Sequence, residues 1–123
     1  MSPVPLLAIV DDDAAVRQAL TDLVEAMGFA AMGFDSAASL LRAFAPGTFA
    51  AILSDIRMPG GDGLALQAAL AARDPALPVI FVTSVQDPDV QRQARQQGAR
   101  AILQKPVDAD ALERALRAAL WRG

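Results

Sequence analysis

Five short apolar runs alternate along the chain with five longer segments whose apolar residues recur at helical spacing. The runs cover residues 6–10, 29–34, 50–54, 79–83 and 101–103. Leu6-Leu7-Ala8-Ile9-Val10 and Val79-Ile80-Phe81-Val82 are apolar at every position. A strand with no polar side has both faces covered, as happens when a parallel sheet lies between two layers of helices. Helices are expected over 14–27, 37–44, 64–73, 88–98 and 109–120. Val16, Leu20, Leu23, Val24 and Met27 line one side of the first, and Leu112, Leu116 and Leu120 one side of the last. Ser36, Asp87 and Asp108 stand where N-caps belong, and Pro88 suits a first helical position. Gly28 and Gly98 stop two of the helices, and Pro75 lies just beyond a third.

Strands and helices in strict alternation imply right-handed crossovers and a single parallel sheet, an α/β fold. In such folds ligands bind at the carboxyl ends of the strands. Polar residues do gather there. The first run leads into Asp11-Asp12-Asp13, the third into Asp55, the fourth into Thr83-Ser84, and the fifth ends just before Lys105. Clustered carboxylates repel one another, a cost that a divalent cation and a lysine relieve. Hard oxygen ligands favour Mg²⁺. A carboxylate can also attack phosphorus to give an aspartyl phosphate. That reaction needs mainly positioning and neutralised charge, and a hydroxyl adds a donor to the transferred group.

The length of 123 residues suits one domain, expected over residues 1–123. With 54% hydrophobic residues the chain can bury a core. A net charge of −3 offers no basic field for nucleic acid, so no direct nucleic-acid binding is expected. The absence of cysteine and histidine excludes thiolate sites, a Ser-His-Asp triad and a histidine phosphodonor within the chain. No apolar run approaches the ~20 residues of a membrane span. Met1-Ser2-Pro3-Val4-Pro5 has no signal-peptide character, so a cytoplasmic location without membrane contact is expected.

Asp11-Asp12, Ser54-Asp55-Ile56-Arg57-Met58-Pro59-Gly60-Gly61-Asp62-Gly63, Val82-Thr83-Ser84 and Lys105-Pro106 together resemble the receiver domains of two-component systems. The resemblance covers nearly the whole chain. It implies a flavodoxin-like (βα)5 three-layer sandwich with strand order 2-1-3-4-5. It also implies Asp55 as phosphoacceptor, and Mg²⁺ (or Mn²⁺) held by Asp12, Asp55 and the backbone carbonyl of Arg57, with Asp11 acting through water. Lys105 would pair with Asp55 and then with the phosphoryl oxygens. Thr83 would turn its hydroxyl to the phosphoryl group, and the Lys105–Pro106 peptide would be cis. The implied donor is a sensor histidine kinase or a histidine phosphotransfer protein. The surface of the fourth helix, fifth strand and fifth helix would then switch for an output domain or a second protomer. Slow self-dephosphorylation would reset it.

Simpler roles compete at single residues. Asp13 reads as a helix cap, Asp62 as a loop residue, and Gly63 as a positive-φ position. Thr83 suits a strand in any case. Many receivers carry an aromatic residue three positions before the conserved lysine, where this chain has Ile102. The fourth helix, with Gln91, Gln93, Gln96 and Gln97, has little apolar surface beyond Val90 and Ala94 and is expected to be mobile. A phosphate-independent interaction module is a second reading. A Mg²⁺-dependent phosphatase is a third, weakened by Arg57 where a second acid is usual. A dinucleotide site lacks its glycine motif.

Overall fold

The computed structural model describes residues 4–58 and 61–121. The Pro59-Gly60 pair of the expected turn and both extremities of the expected 1–123 domain lie outside the described residues. Five strands form one sheet: β1 (Leu6–Val10), β2 (Ala30–Phe34), β3 (Ala51–Ser54), β4 (Val79–Thr83) and β5 (Ala101–Gln104). All its pairings are parallel, in the order β2-β1-β3-β4-β5. Helices α1 (Ala14–Ala26), α2 (Ala37–Ala43), α3 (Gly63–Arg73), α4 (Pro88–Gln96) and α5 (Ala109–Leu120) connect or follow the strands. This is the α/β architecture that the alternating pattern predicts. No described helix is long and apolar enough to cross a membrane.

The pleat explains why the central strands carry no polar face. Leu7 and Ile9 of β1 join Leu20 and Val24 of α1 and Leu112 and Leu116 of α5 in one core cluster. Ala8 and Val10, pointing the other way, join Leu40 of α2, Leu66 and Leu70 of α3 and Ala94 of α4 in a second. Two helices therefore cover one face and three the other. Caps end the loops where the sequence placed them. Ser36 accepts from the Ser39 N–H, Asp87 from Asp89 and Asp108 from Ala111. Asp13 is the cap of α1, accepting from Ala15 and Val16.

Three details depart from the sequence reading. Asp62 is more than a loop residue. Arg57–Met58 and Gly61–Asp62 form a short antiparallel ladder, and the Asp62 carboxylate caps α3 through the Ala65 N–H at 2.7 Å. Gly63 is not in the left-handed region, which Gly28, Gly47 and Gly98 occupy. Its constraint is contact. A Cβ there would collide with the Asp55 carbonyl oxygen and stand 2.9 Å from both Ile56 Cα and Phe81 Cε1. Only a hydrogen fits, and the Gly63 N–H closes on the Ile56 carbonyl at 2.6 Å.

The third concerns α4, whose apolar contact is as sparse as expected. Side-chain amides hold it instead. Buried Gln67 of α3 donates to the Ala94 carbonyl at 3.0 Å and accepts from Gln97 at 2.9 Å. Gln97 also donates to the Leu64 carbonyl, and Gln91 to the Val85 carbonyl.

Gly63→Ala tests the contact argument. Helix propensity would favour alanine by about 0.5–1 kcal/mol. Backbone atoms cannot swing aside, so a net loss of about 1–3 kcal/mol is expected in chemical denaturation. Gly33→Ala is the control. The nearest contacts of its Cβ would all be on the flexible Arg17 side chain, the methylenes at 3.2 and 3.3 Å and Nε at 3.5 Å, and stability should stay within about 0.5 kcal/mol of the parent.

Candidate functional site

Four strand ends deliver the polar residues to one place. Asp11 follows β1, Asp55 follows β3, Thr83 ends β4 and Lys105 follows β5. Carboxylate oxygens of Asp11, Asp12 and Asp55 lie within 4.8 Å of one another. Lys105 Nζ donates to Asp11 Oδ2 at 2.8 Å and to Asp55 Oδ2 at 2.7 Å. One ammonium thus joins two acids that are 94 and 50 residues away in sequence. Asp11 is almost wholly buried, at 1% exposure, and Asp55 nearly so at 9%, while Asp12 faces solvent.

Each group is held from more than one side. Asp11 Oδ1 accepts from the Asp13 N–H at 2.9 Å. Asp55 Oδ1 accepts from the Ile56 N–H at 2.7 Å and, at 3.4 Å, from that of Arg57. The Arg57 side chain is exposed, as its position two residues past Asp55 suggested. Thr83 is fully buried and its Oγ1 accepts from the Val85 N–H at 3.1 Å. The Lys105–Pro106 peptide is cis.

Burial of Lys105 works against its charge. Hydrogen bonds and the fields of Asp11 and Asp55 outweigh that cost, and its pKa is raised above the ordinary lysine value.

Two residues at the site were not singled out from sequence. Ser54 donates from Oγ to the Asp55 carbonyl at 2.8 Å. Arg17, on α1, donates from its guanidinium to the Asp11 carbonyl at 2.7 Å. A serine before an aspartate is unremarkable in a strand, and an arginine on an amphipathic helix reads as a solvated face. Neither carries a signal of its own: the Ser54 bond runs only to its neighbour's carbonyl, and the Arg17 bond is made between elements.

The chain matches the response regulator receiver domain family over residues 7–117. The chain belongs to that family. This receiver domain is 40% identical over 119 residues to the C4-dicarboxylate transport transcriptional regulatory protein DctD of Rhizobium meliloti, covering 97% of the chain and 26% of DctD. It is 44% identical over 102 residues to the DNA-binding transcriptional regulator NtrC of Escherichia coli, covering 83% of the chain and 22% of NtrC. The chain thus spans about a quarter of the length of these curated relatives. Among solved structures, a response regulator receiver domain protein from Clostridium thermocellum superposes with a TM-score of 0.90 at 26% identity, covering 95% of this chain and 94% of that one. The receiver domain is a phosphoryl-accepting module of two-component signalling.

The raised lysine pKa sets a pH dependence. A folded-state value above the unfolded one means that the Lys105 contribution is fully present below about pH 10.4, the unfolded lysine value. It is lost as pH rises through the folded value. In metal-free buffer the parent should therefore lose stability above about pH 10.4, as read by urea midpoints. Lys105→Gln should flatten that limb. An equally steep limb in the variant would assign it to other groups.

Proposed function

We propose that residues 1–123 act as a single receiver domain that takes one phosphoryl group on Asp55. The observation that carries this reading is the shared ammonium: Lys105 bonded to Asp55 inside a cluster of three carboxylates. Asp55 Oδ2 already has a cation beside it, and Asp55 stands at the mouth of the sheet rather than within it.

The donor set fits a hard divalent cation. Three acids face one lysine, which leaves a local excess of negative charge of the size such an ion neutralises, and every available ligand is oxygen. Asp12, Asp55 and the carbonyl of Arg57 would hold Mg²⁺ or Mn²⁺, with Asp11 acting through a bound water. When bound, the ion supplies neutralising charge for the phosphoryl oxygens.

The chemistry at Asp55 is a displacement at phosphorus. A carboxylate oxygen attacks, an O–P bond forms, and the P–N bond to the donor's imidazole breaks. The chain has no histidine, so the imidazole comes from another protein, a sensor histidine kinase or a phosphotransfer protein. Lys105 stays beside the reacting carboxylate and neutralises charge that develops on the transferred group. Thr83 gives up the Val85 N–H and donates its hydroxyl to a phosphoryl oxygen. Attack of water on the acyl phosphate resets the domain slowly.

The new charge biases the surface built from α4, β5 and α5. Relatives such as DctD and NtrC are transcriptional regulators by name, so an output domain or a second protomer is the reader proposed here. The position of Ile102 on β5 places a stiff aliphatic group on that surface in place of a mobile ring.

Intact mass after treatment with a small acyl phosphate tests the reading. One phosphoryl group should appear on the parent with Mg²⁺, and none without metal or in Asp55→Ala. Lys105→Met should slow uptake by about 10²–10³-fold, the usual consequence of removing one preorganised charge-stabilising donor. Labelling that survives in Asp55→Ala would place the acceptor elsewhere.

A further inference from the structure

We propose that Arg17 is a positioning residue for the acidic pair Asp11-Asp12, and thereby for the divalent cation that the pair would hold. The proposal rests on the metal reading above. Arg17 lies outside the acidic cluster, yet its guanidinium spans from α1 to the Asp11 carbonyl at 2.7 Å. Its methylenes run over the bare backbone of Gly33 on the edge strand β2, where an added Cβ would touch them at 3.2 and 3.3 Å. The bare backbone of Gly33 leaves room for the stem on its way to the acceptor.

The acceptor matters because of what else Asp11 does. Its N–H donates to the Phe34 carbonyl at 3.1 Å. One carboxylate oxygen takes the Asp13 N–H and the other takes Lys105. Arg17 occupies the remaining backbone group, so all four polar groups of Asp11 are engaged. The Asp11 carbonyl belongs to the same rigid peptide plane as the Asp12 N–H. Fixing that plane fixes the start of Asp12, which is exposed and has no burial to hold it. A charge-assisted donor is suited to this task.

Two physical effects of Arg17 have opposite signs, which makes the proposal decidable. As a cation near an acidic site, Arg17 repels Mg²⁺, and its removal would tighten binding. As a positioning residue, its removal would loosen binding. Partners that orient metal ligands typically matter by about 10–100-fold in affinity.

The experiment is Mg²⁺ titration by calorimetry on the full chain, with Mn²⁺ binding by electron paramagnetic resonance as a second readout. Arg17→Met, which keeps the stem over Gly33, should weaken both ions by about tenfold or more. Arg17→Lys, which keeps a charged donor, should return affinity to within about threefold of the parent. In acyl-phosphate labelling, Arg17→Met should shift the half-saturating Mg²⁺ concentration by the same factor and leave the rate at saturating metal within about twofold. Arg17→Gln, also neutral, repeats the test should Arg17→Met not fold. Binding in the neutral variant that equals or exceeds the parent's overturns the proposal and leaves the metal reading intact. A parent that binds neither ion overturns both.

Discussion

A single ammonium group holds together what the fold brings near. Lys105 reaches Asp11 and Asp55 at once, at 2.8 and 2.7 Å, from a strand end on the far side of the sheet from β2. Two nearly buried carboxylates side by side would repel strongly in a low-dielectric setting. The lysine converts that repulsion into two attractions, and the raised lysine pKa is the same fact seen from the proton's side. The lysine offsets part of the cost of placing three carboxylates at the mouth of an otherwise apolar sheet. The arrangement also leaves negative charge over, so it is stable enough to fold and still open to a further cation.

The scaffold is built to make those strand ends coincide. Continuous apolar strands require helices on both faces, and covering both faces requires crossovers that return every strand in the same direction. All carboxyl ends then lie on one rim. Gly63 shows how tightly the rim is drawn. It lacks a side chain because the Asp55 carbonyl occupies that space, so the start of α3 is pressed against the backbone of Asp55 itself.

Much of this could be read from the chain, for identifiable reasons. Strand and helix boundaries lie within two residues of those observed, since apolar runs and caps are local signals. Asp11, Asp55, Thr83 and Lys105 were findable because strand ends can be located and polar residues there stand out. Arg17 was not, since it acts through a backbone carbonyl of another element brought near by folding, and the Ser54 bond to its neighbour's carbonyl has no pattern of its own in the sequence. Gly63 was recognised as special but for the wrong cause. Sequence alone does not separate a glycine needed for its dihedral angle from one needed for its thinness. For α4, the scarcity of apolar residues was correctly seen. The compensation by Gln67, Gln91 and Gln97 requires knowing which carbonyls lie within reach.

Because glutamines attach it, α4 meets its solvent differently from the acidic rim. Amide-to-carbonyl bonds carry no net charge, so ionic strength and acidity leave them nearly untouched. The Lys105 cluster is made of full charges and answers to acidity, while its burial shields it from much of the effect of salt. The amide bonds that seat α4 and the charged rim therefore respond to different variables. A change of acidity that titrates the charged cluster leaves the amide bonds under α4 in place.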